Sequence, residues 1–239
     1  RLMASSDASF HRRGVAGILF SPLKWWFVTM LLLIALIVTA WIVDWVLVTR
    51  VWPDGVSHLQ RSLMLELARA ERIGEVWSGY PAFARAVANG IYELIFGLTG
   101  IQDMGRRFAE SAPVSIPDTV LRDTYIANYE AIRVAMIGTQ LFGLRLASLT
   151  VAIPALLAAY VVAVIDGLMG RAIRRAAGGR ESASLYHRAK HLQLVLAIML
   201  AVVRLLIPST ALPDWLWLAG IVVIALLARL QWAYYKKHL

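Results

Sequence analysis

The sequence predicts an all-α, polytopic membrane protein with four transmembrane helices and a helical periplasmic insertion. Three observations carry that expectation. The 239 residues are 59% hydrophobic and only 16% charged, where soluble domains average about 45–50% apolar and about 25% charged. Mean hydropathy is +0.65. Four long apolar runs interrupt the chain, and Lys and Arg are distributed unevenly around them. The absence of cysteine excludes disulfide scaffolds, Cys-ligated zinc, iron–sulfur clusters and thiol catalysis. Basic residues outnumber acidic ones by 24 to 15, giving a net charge of +9. In a membrane chain that surplus points to cytoplasmic loops facing anionic headgroups.

The elements follow in order. Residues 1–24 form an N-terminal arm with Arg1, Arg12, Arg13 and Lys24 against Asp7. Residues 25–48 are the first span, with Asp44 as their one charge; at about 1.5 Å per residue the run crosses a core of about 30 Å. It is too long for a signal peptide and lacks a small-residue cleavage site. Within the periplasmic segment, 49–140, Val56, Leu59, Leu63, Leu67, Ala70, Ile73 and Trp77 recur at helical spacing, with Arg61, Glu66, Arg69, Glu71 and Glu75 between them. Gly79-Tyr80-Pro81 is expected to stop that helix. Phe83 to Leu98 reads as a buried or interfacial helix, with a re-entrant segment as the alternative, because 16 residues carrying Arg85 and Glu93 are too few for a span. Ser115 and Asp118 have capping-box spacing after the Pro113–Pro117 connector. The stripe Leu121, Tyr125, Asn128, Ile132, Met136 is expected to continue unbroken into the second span, 141–165, which contains Pro154.

A basic cytoplasmic loop spans 166–191, a transmembrane hairpin 192–232 and a cytoplasmic tail 233–239. The loop holds six basic residues against Asp166 and Glu181, whereas 49–140 holds nine Arg, no Lys and ten acids. The positive-inside rule therefore places both termini and the loop in the cytoplasm. Trp25, Trp26, Trp52, Trp215, Trp217 and Trp232 lie near span ends, where an aromatic belt belongs.

Candidate chemistry is sparse. His187 and His191 share a helix face but have no third ligand, so no metal and no cofactor is expected. Ser182 and Ser184 near His187 lack a nucleophile elbow and an orienting acid, and the P-loop pattern is missing, so no catalytic residue is assigned and the chain reads as non-enzymatic. Asp44, Arg145 and Arg204 fall at similar depth near the outer interface, and the expectation is that Asp44 pairs with Arg145 or Arg204. The densest charge cluster gives a partner-binding set of Arg171, Arg174, Arg175, Arg180, Glu181, Tyr186, His187 and Lys190. Gly178-Gly179 offers a helix C-cap between its two halves, making a basic helical hairpin whose arginines grip carboxylates, with anionic lipid headgroups as the plainer partner. No signature of sequence-specific nucleic-acid recognition is present.

Several of these stretches together resemble integrating conjugative element membrane proteins. They are Asp166-Gly167-Leu168, Arg174-Arg175, Gly178-Gly179-Arg180-Glu181-Ser182 and Tyr186-His187-Arg188-Ala189-Lys190, with Val51–His58 and Gly97–Ile101. The end Gln231-Trp232-Ala233-Tyr234-Tyr235 departs from that family's pattern. The resemblance implies a multi-span inner-membrane protein of conjugative type IV secretion, accessory to the DNA-translocating coupling ATPase, and supplies no catalytic residues. The expected function is a scaffold or adaptor that contacts other conjugation membrane proteins, the coupling ATPase and further copies of itself. A small-molecule or ion transporter and an exclusion or immunity protein are the alternatives; scarce midplane charge argues against the transporter.

Overall fold

The computed structural model describes residues 15–110, 115–178, 183–207 and 215–235. Among them are eight α-helices and no strand. They are α1 (Val15–Val46), α2 (Val56–Gly74), α3 (Tyr80–Tyr92), α4 (Ile101–Glu110), α5 (Ile116–Ala127), α6 (Tyr129–Ala176), α7 (Ala183–Leu206) and α8 (Trp215–Ala233). Four stretches are long and apolar enough to cross a membrane: Lys24–Val51, Tyr129–Ala176, Ser184–Leu206 and Trp215–Ala233. The chain divides into two units, Arg1–Thr39 and Ala40–Leu239. In the first, Trp25, Trp26, Phe27, Leu31 and Leu32 are exposed, and Thr29 and Thr39 donate their hydroxyls to the carbonyls of Trp25 and Ala35. Such back-bonding satisfies a hydroxyl within its own helix.

In the second unit α6 is the organising element, with α2, α3, α7 and α8 all packed on it. Its 48 residues extend about 72 Å, far more than a bilayer core needs, so one helix serves the spans and the intervening helices alike. Pro154 lies inside it without ending it. Helix α3 lays Tyr80, Ala84 and Ala88 against Leu144 and Ala147. At Gly143 the two backbones come so close that a Cβ would lie 2.5 Å from the Ala88 Cα. Glycine is there for proximity, the small-residue device of closely packed apolar helices.

Three local expectations are corrected. Pro81 starts a helix instead of stopping one: it sits in the first turn of α3, where its missing N–H costs nothing. Helix α2 therefore ends at Gly74, and Trp77 is left about half exposed. The stripe through Asn128 is broken there; the residue leaves helical geometry (φ −106°, ψ 10°) and its side-chain amide donates to the Thr124 carbonyl. An Asn at a helix end can meet backbone groups itself, and the apolar periodicity across it concealed the break. Helix α4 was not expected as a separate element; it holds Phe108 edge-on to Tyr125. The cap at Ser115 has the expected form, its hydroxyl accepting from the Asp118 amide at 3.4 Å.

Candidate functional site

Two polar clusters lie at opposite ends of the α6–α7–α8 bundle. The first is buried. Helix α2 turns Leu59, Ser62, Glu66 and Ala70 inward, which puts Glu66 at the centre of its packed face. The Glu66 carboxylate accepts two hydrogen bonds from Arg204, at 2.9 and 3.1 Å. The Arg204 Nε donates to the Ser148 hydroxyl at 3.0 Å, its guanidinium lies 5.8 Å from the Trp217 ring, and Arg69 adds a 3.4 Å bond to Glu66. Glu66 and Arg204 are 4% and 5% exposed, so this is a desolvated fork-to-fork pair, the geometry in which Arg recognises carboxylate best. Tyr80 is buried beside it, and burial raises its phenol pKa, keeping it neutral.

Of the expected pairing of Asp44 with Arg145 or Arg204, the Arg204 alternative is not formed, and Arg145 is the charge that faces Asp44, without a hydrogen bond between them. Arg204 belongs to Glu66. Arg145, fully buried, donates to the Leu205 carbonyl at 3.2 Å. Asp44 is equally buried, yet neither of its carboxylate oxygens has a hydrogen-bond partner among the described residues, nor have Arg145 Nε and Nη2. Asp44 rests instead against Gly138, where a Cβ would come within 2.7 Å of its Oδ2. Matching depth was a sound reason to connect these charges, but it does not decide which atoms meet.

The Arg145–Leu205 bond has a counterpart at the other end. Leu205 is one residue short of the end of α7, and Arg174 donates to the carbonyl of Ala233, the last residue of α8, at 3.0 Å. Final carbonyls of a helix lack intrahelical partners and carry its negative dipole end. Two arginines of α6, twenty-nine residues and about 43 Å apart along its axis, thus cap the two helices packed beside it. Helix α8 is held close: a Cβ at Gly167 would lie 2.6 Å from the Arg229 carbonyl, Trp232 donates to the Tyr160 hydroxyl at 3.3 Å, and Asp166 pairs with Arg229.

This second cluster contains much of the predicted partner-binding set. Arg174 lies 3.9 Å from the centre of the Tyr234 ring and Arg171 lies 5.4 Å from that of Tyr235. Tyr186 meets Tyr235 and His187 edge-on, at 5.6 and 5.1 Å. The aromatic tail that departed from the resembled pattern is what binds the basic segment. Gly178 takes the left-handed conformation (φ +72°) expected of a C-cap after α6. Arg175, His187, Arg188 and Lys190 are exposed. Arg180, Glu181, Gly179 and Ser182 lie outside the described residues. Among the described residues no group of three or more His, Asp or Glu is placed to hold a metal ion.

The residues that sequence reasoning missed are Glu66, Ser148, Tyr234 and Tyr235. Only Glu66 left a signal, lying between Ser62 and Ala70 at helical spacing on the face that α2 buries.

These features define a class: a protein helical throughout its described residues, with four helices apolar enough to cross a membrane, in which arginines in the middle and at the C-terminal end of the longest helix bond the ends of two neighbours. The chain belongs to the DtrJ-like family, its residues 51–236 matching the model described as IncC plasmid conjugative DNA transfer protein DtrJ-like. The match covers α2 to α8, and membership implies a part in conjugative DNA transfer. Comparison with curated proteins and with solved structures gives no match.

Proposed function

We propose that this protein is a non-enzymatic scaffold of a conjugative type IV secretion apparatus, of the kind carried by integrating conjugative elements. It sits in the bacterial inner membrane with both termini cytoplasmic and presents its basic end to the coupling ATPase. The observation that carries the reading is the basic end itself. Arg171 and Arg174 are spent on the α8 tail, while Arg175, Arg188 and Lys190 stay exposed beside it in a chain of a DNA-transfer family. Exposed guanidinium and ammonium groups on a braced platform suit an acidic protein surface.

The membrane placement draws on charge and on length. The spacing of Arg145 and Arg174, about 43 Å at 1.5 Å per residue, equals the thickness of a bilayer with its headgroups, about 40–45 Å. Arg145 and the ionic layer then lie at the periplasmic interface and Arg174 at the cytoplasmic one. Reporter fusions at residues 110 and 180 are expected to land on opposite faces, and the same face for both would overturn the topology.

Docking is tested by changing Arg175, Arg188 and Lys190 together to Glu, leaving the capping arginines intact. The protein is expected to accumulate normally, lose co-purification with the coupling ATPase, and reduce transfer by about tenfold or more, the equivalent of losing ~1.4 kcal/mol of docking free energy. Unchanged partner recovery and unchanged transfer would leave lipid headgroups as the ligand of this face.

A further inference from the structure

The turn between α2 and α3 lies beside the apolar stretch of α6, and neither the ionic layer nor docking at the basic end uses it. Helix α2 runs along α6 in the same direction, so its contacts record a depth. Leu59 packs with Val134 and Leu141, and Ala70 with Leu144 and Ala147. Ile73, near the end of α2, lines a cavity with Ser148, Ala152 and Trp217. Ala152 is seven residues past Arg145 on α6, about 10 Å further along the axis. With Arg145 at the outer headgroup surface, a headgroup layer of about 5–7 Å is crossed before that level is reached. The turn, 75–79, lies past Ile73 in sequence and in depth.

The turn is built for a neighbour other than water. Val76 is 93% exposed, and Trp77 is about half exposed beside it. The Trp77 ring lies 5.6 Å from Tyr80 and 6.1 Å from Phe83. A single exposed aliphatic side chain is ordinary; the backbone adds a second observation. The amides of Glu75, Val76, Trp77 and Tyr80 donate to the carbonyls of Arg72, Ile73, Ile73 and Trp77. These donors of a non-helical segment are met inside the segment, which is what irregular backbone at membrane depth requires. Arg72 and Glu75 are exposed at the edge of the turn, where headgroups carry both signs of charge, and an indole is at home at that interface.

We propose that this turn is a wedge in the outer leaflet of the bilayer, with Val76 and Trp77 among the upper acyl chains and Arg72 at the level of the phosphates. The inference rests on the membrane placement proposed above. Leu98 supplies the contrast within the same chain. It is also apolar and 79% exposed. It follows Phe96, which meets the Trp41 ring, and Trp41 donates to the Thr139 hydroxyl. Thr139 lies six residues, about 9 Å, on the other side of Arg145. An exposed leucine at that level faces water, whereas Val76 faces lipid.

The chain has no cysteine, so Val76→Cys, Leu98→Cys and Leu157→Cys variants each carry a single nitrobenzoxadiazole label. The full-length protein is reconstituted in phosphatidylcholine–phosphatidylglycerol vesicles. One quencher is lipid with a spin label on its acyl chain, and the other is iodide on both sides of the membrane. The label at Val76 is expected to lose most of its emission to the lipid quencher and little to iodide. The label at Leu98 is expected to do the reverse. Leu157, exposed on α6 within a candidate span, reports the placement itself and is expected to respond to lipid alone. If Val76→Cys does not accumulate, Ser78→Cys repeats the measurement in the same turn. Lipid quenching at Leu157 with iodide quenching at Val76 would overturn the wedge and leave the placement standing. Iodide quenching at Leu157 would overturn both. A Val76 label shielded from both quenchers would mean that protein covers the turn, and would overturn the wedge as well.

Discussion

Replacing Glu66 with alanine is expected to be among the most damaging single changes in this chain. The substitution leaves Arg204 buried without its carboxylate and removes the anion that Arg69 also uses. Breaking a buried pair by deleting one partner typically costs about 3–5 kcal/mol, because the remaining charge stays desolvated. The measurement is thermal unfolding in detergent, where the loss should appear as a melting temperature lower by on the order of 10 °C. The double variant Glu66→Leu, Arg204→Leu is expected to recover most of that, since removing both charges removes the desolvation cost too. Asp44→Asn supplies the contrast: among the described residues its carboxylate has no hydrogen bond to lose, and Arg145, whose charge faces it, keeps its bond to the Leu205 carbonyl, so its effect should be smaller. A Glu66→Ala protein that melts like the wild type would mean the pair is solvated.

Gly143→Leu is expected to have the second large effect, by a different route. A Cβ at this position meets the Ala88 backbone at 2.5 Å, with the Ala88 amide nitrogen at 3.1 Å. Backbone cannot rotate away as a side chain can, so α3 must move off α6. That motion loosens the contact of Tyr80, Ala84 and Ala88 with Leu144 and Ala147. Overpacking of this kind usually costs about 1–3 kcal/mol, and a leucine at a backbone contact belongs at or above the upper end. Limited proteolysis between α3 and α4 should become faster, while the α6–α8 contact at Gly167 stays intact. Gly90→Leu is the control, because a Cβ there meets nothing within 4 Å. Equal behaviour of the two variants would show that α3 does not depend on this close approach.

Much of the architecture was legible in the residues. The four apolar runs, the Ser115 cap and the left-handed Gly178 are local or composition-driven features, and each stands in the structure where its residues announce it. The ionic layer was legible only in part. Asp44, Arg145 and Arg204 stood out as charges in apolar runs, but the acid that Arg204 uses lies 138 residues away in sequence. It sits on a helix where Glu66 looked like one more polar separator. The caps were hidden more completely, since Arg145 and Arg174 bond to backbone carbonyls, and every residue carries one of those. The basic segment stood out in the sequence as a charge cluster. Its division into arginines held by Tyr234 and Tyr235 and arginines left exposed depended on where the end of α8 arrives.

What the sequence determined by itself is the class of protein: helical, with four stretches apolar enough to span a membrane. Transfer free energies accumulate residue by residue along a segment, so a run of apolar side chains can be counted without knowing its neighbours. The tertiary structure decided the pairings, placing Glu66 with Arg204, the α7 end with Arg145, the α8 end with Arg174, and leaving Asp44 without a hydrogen-bonding partner among the described residues. Hydrogen bonds and desolvated ion pairs depend on separations of a few tenths of an ångström. Those separations are fixed by how closely helices approach, as at Gly143 and Gly167, and no property of one segment contains them.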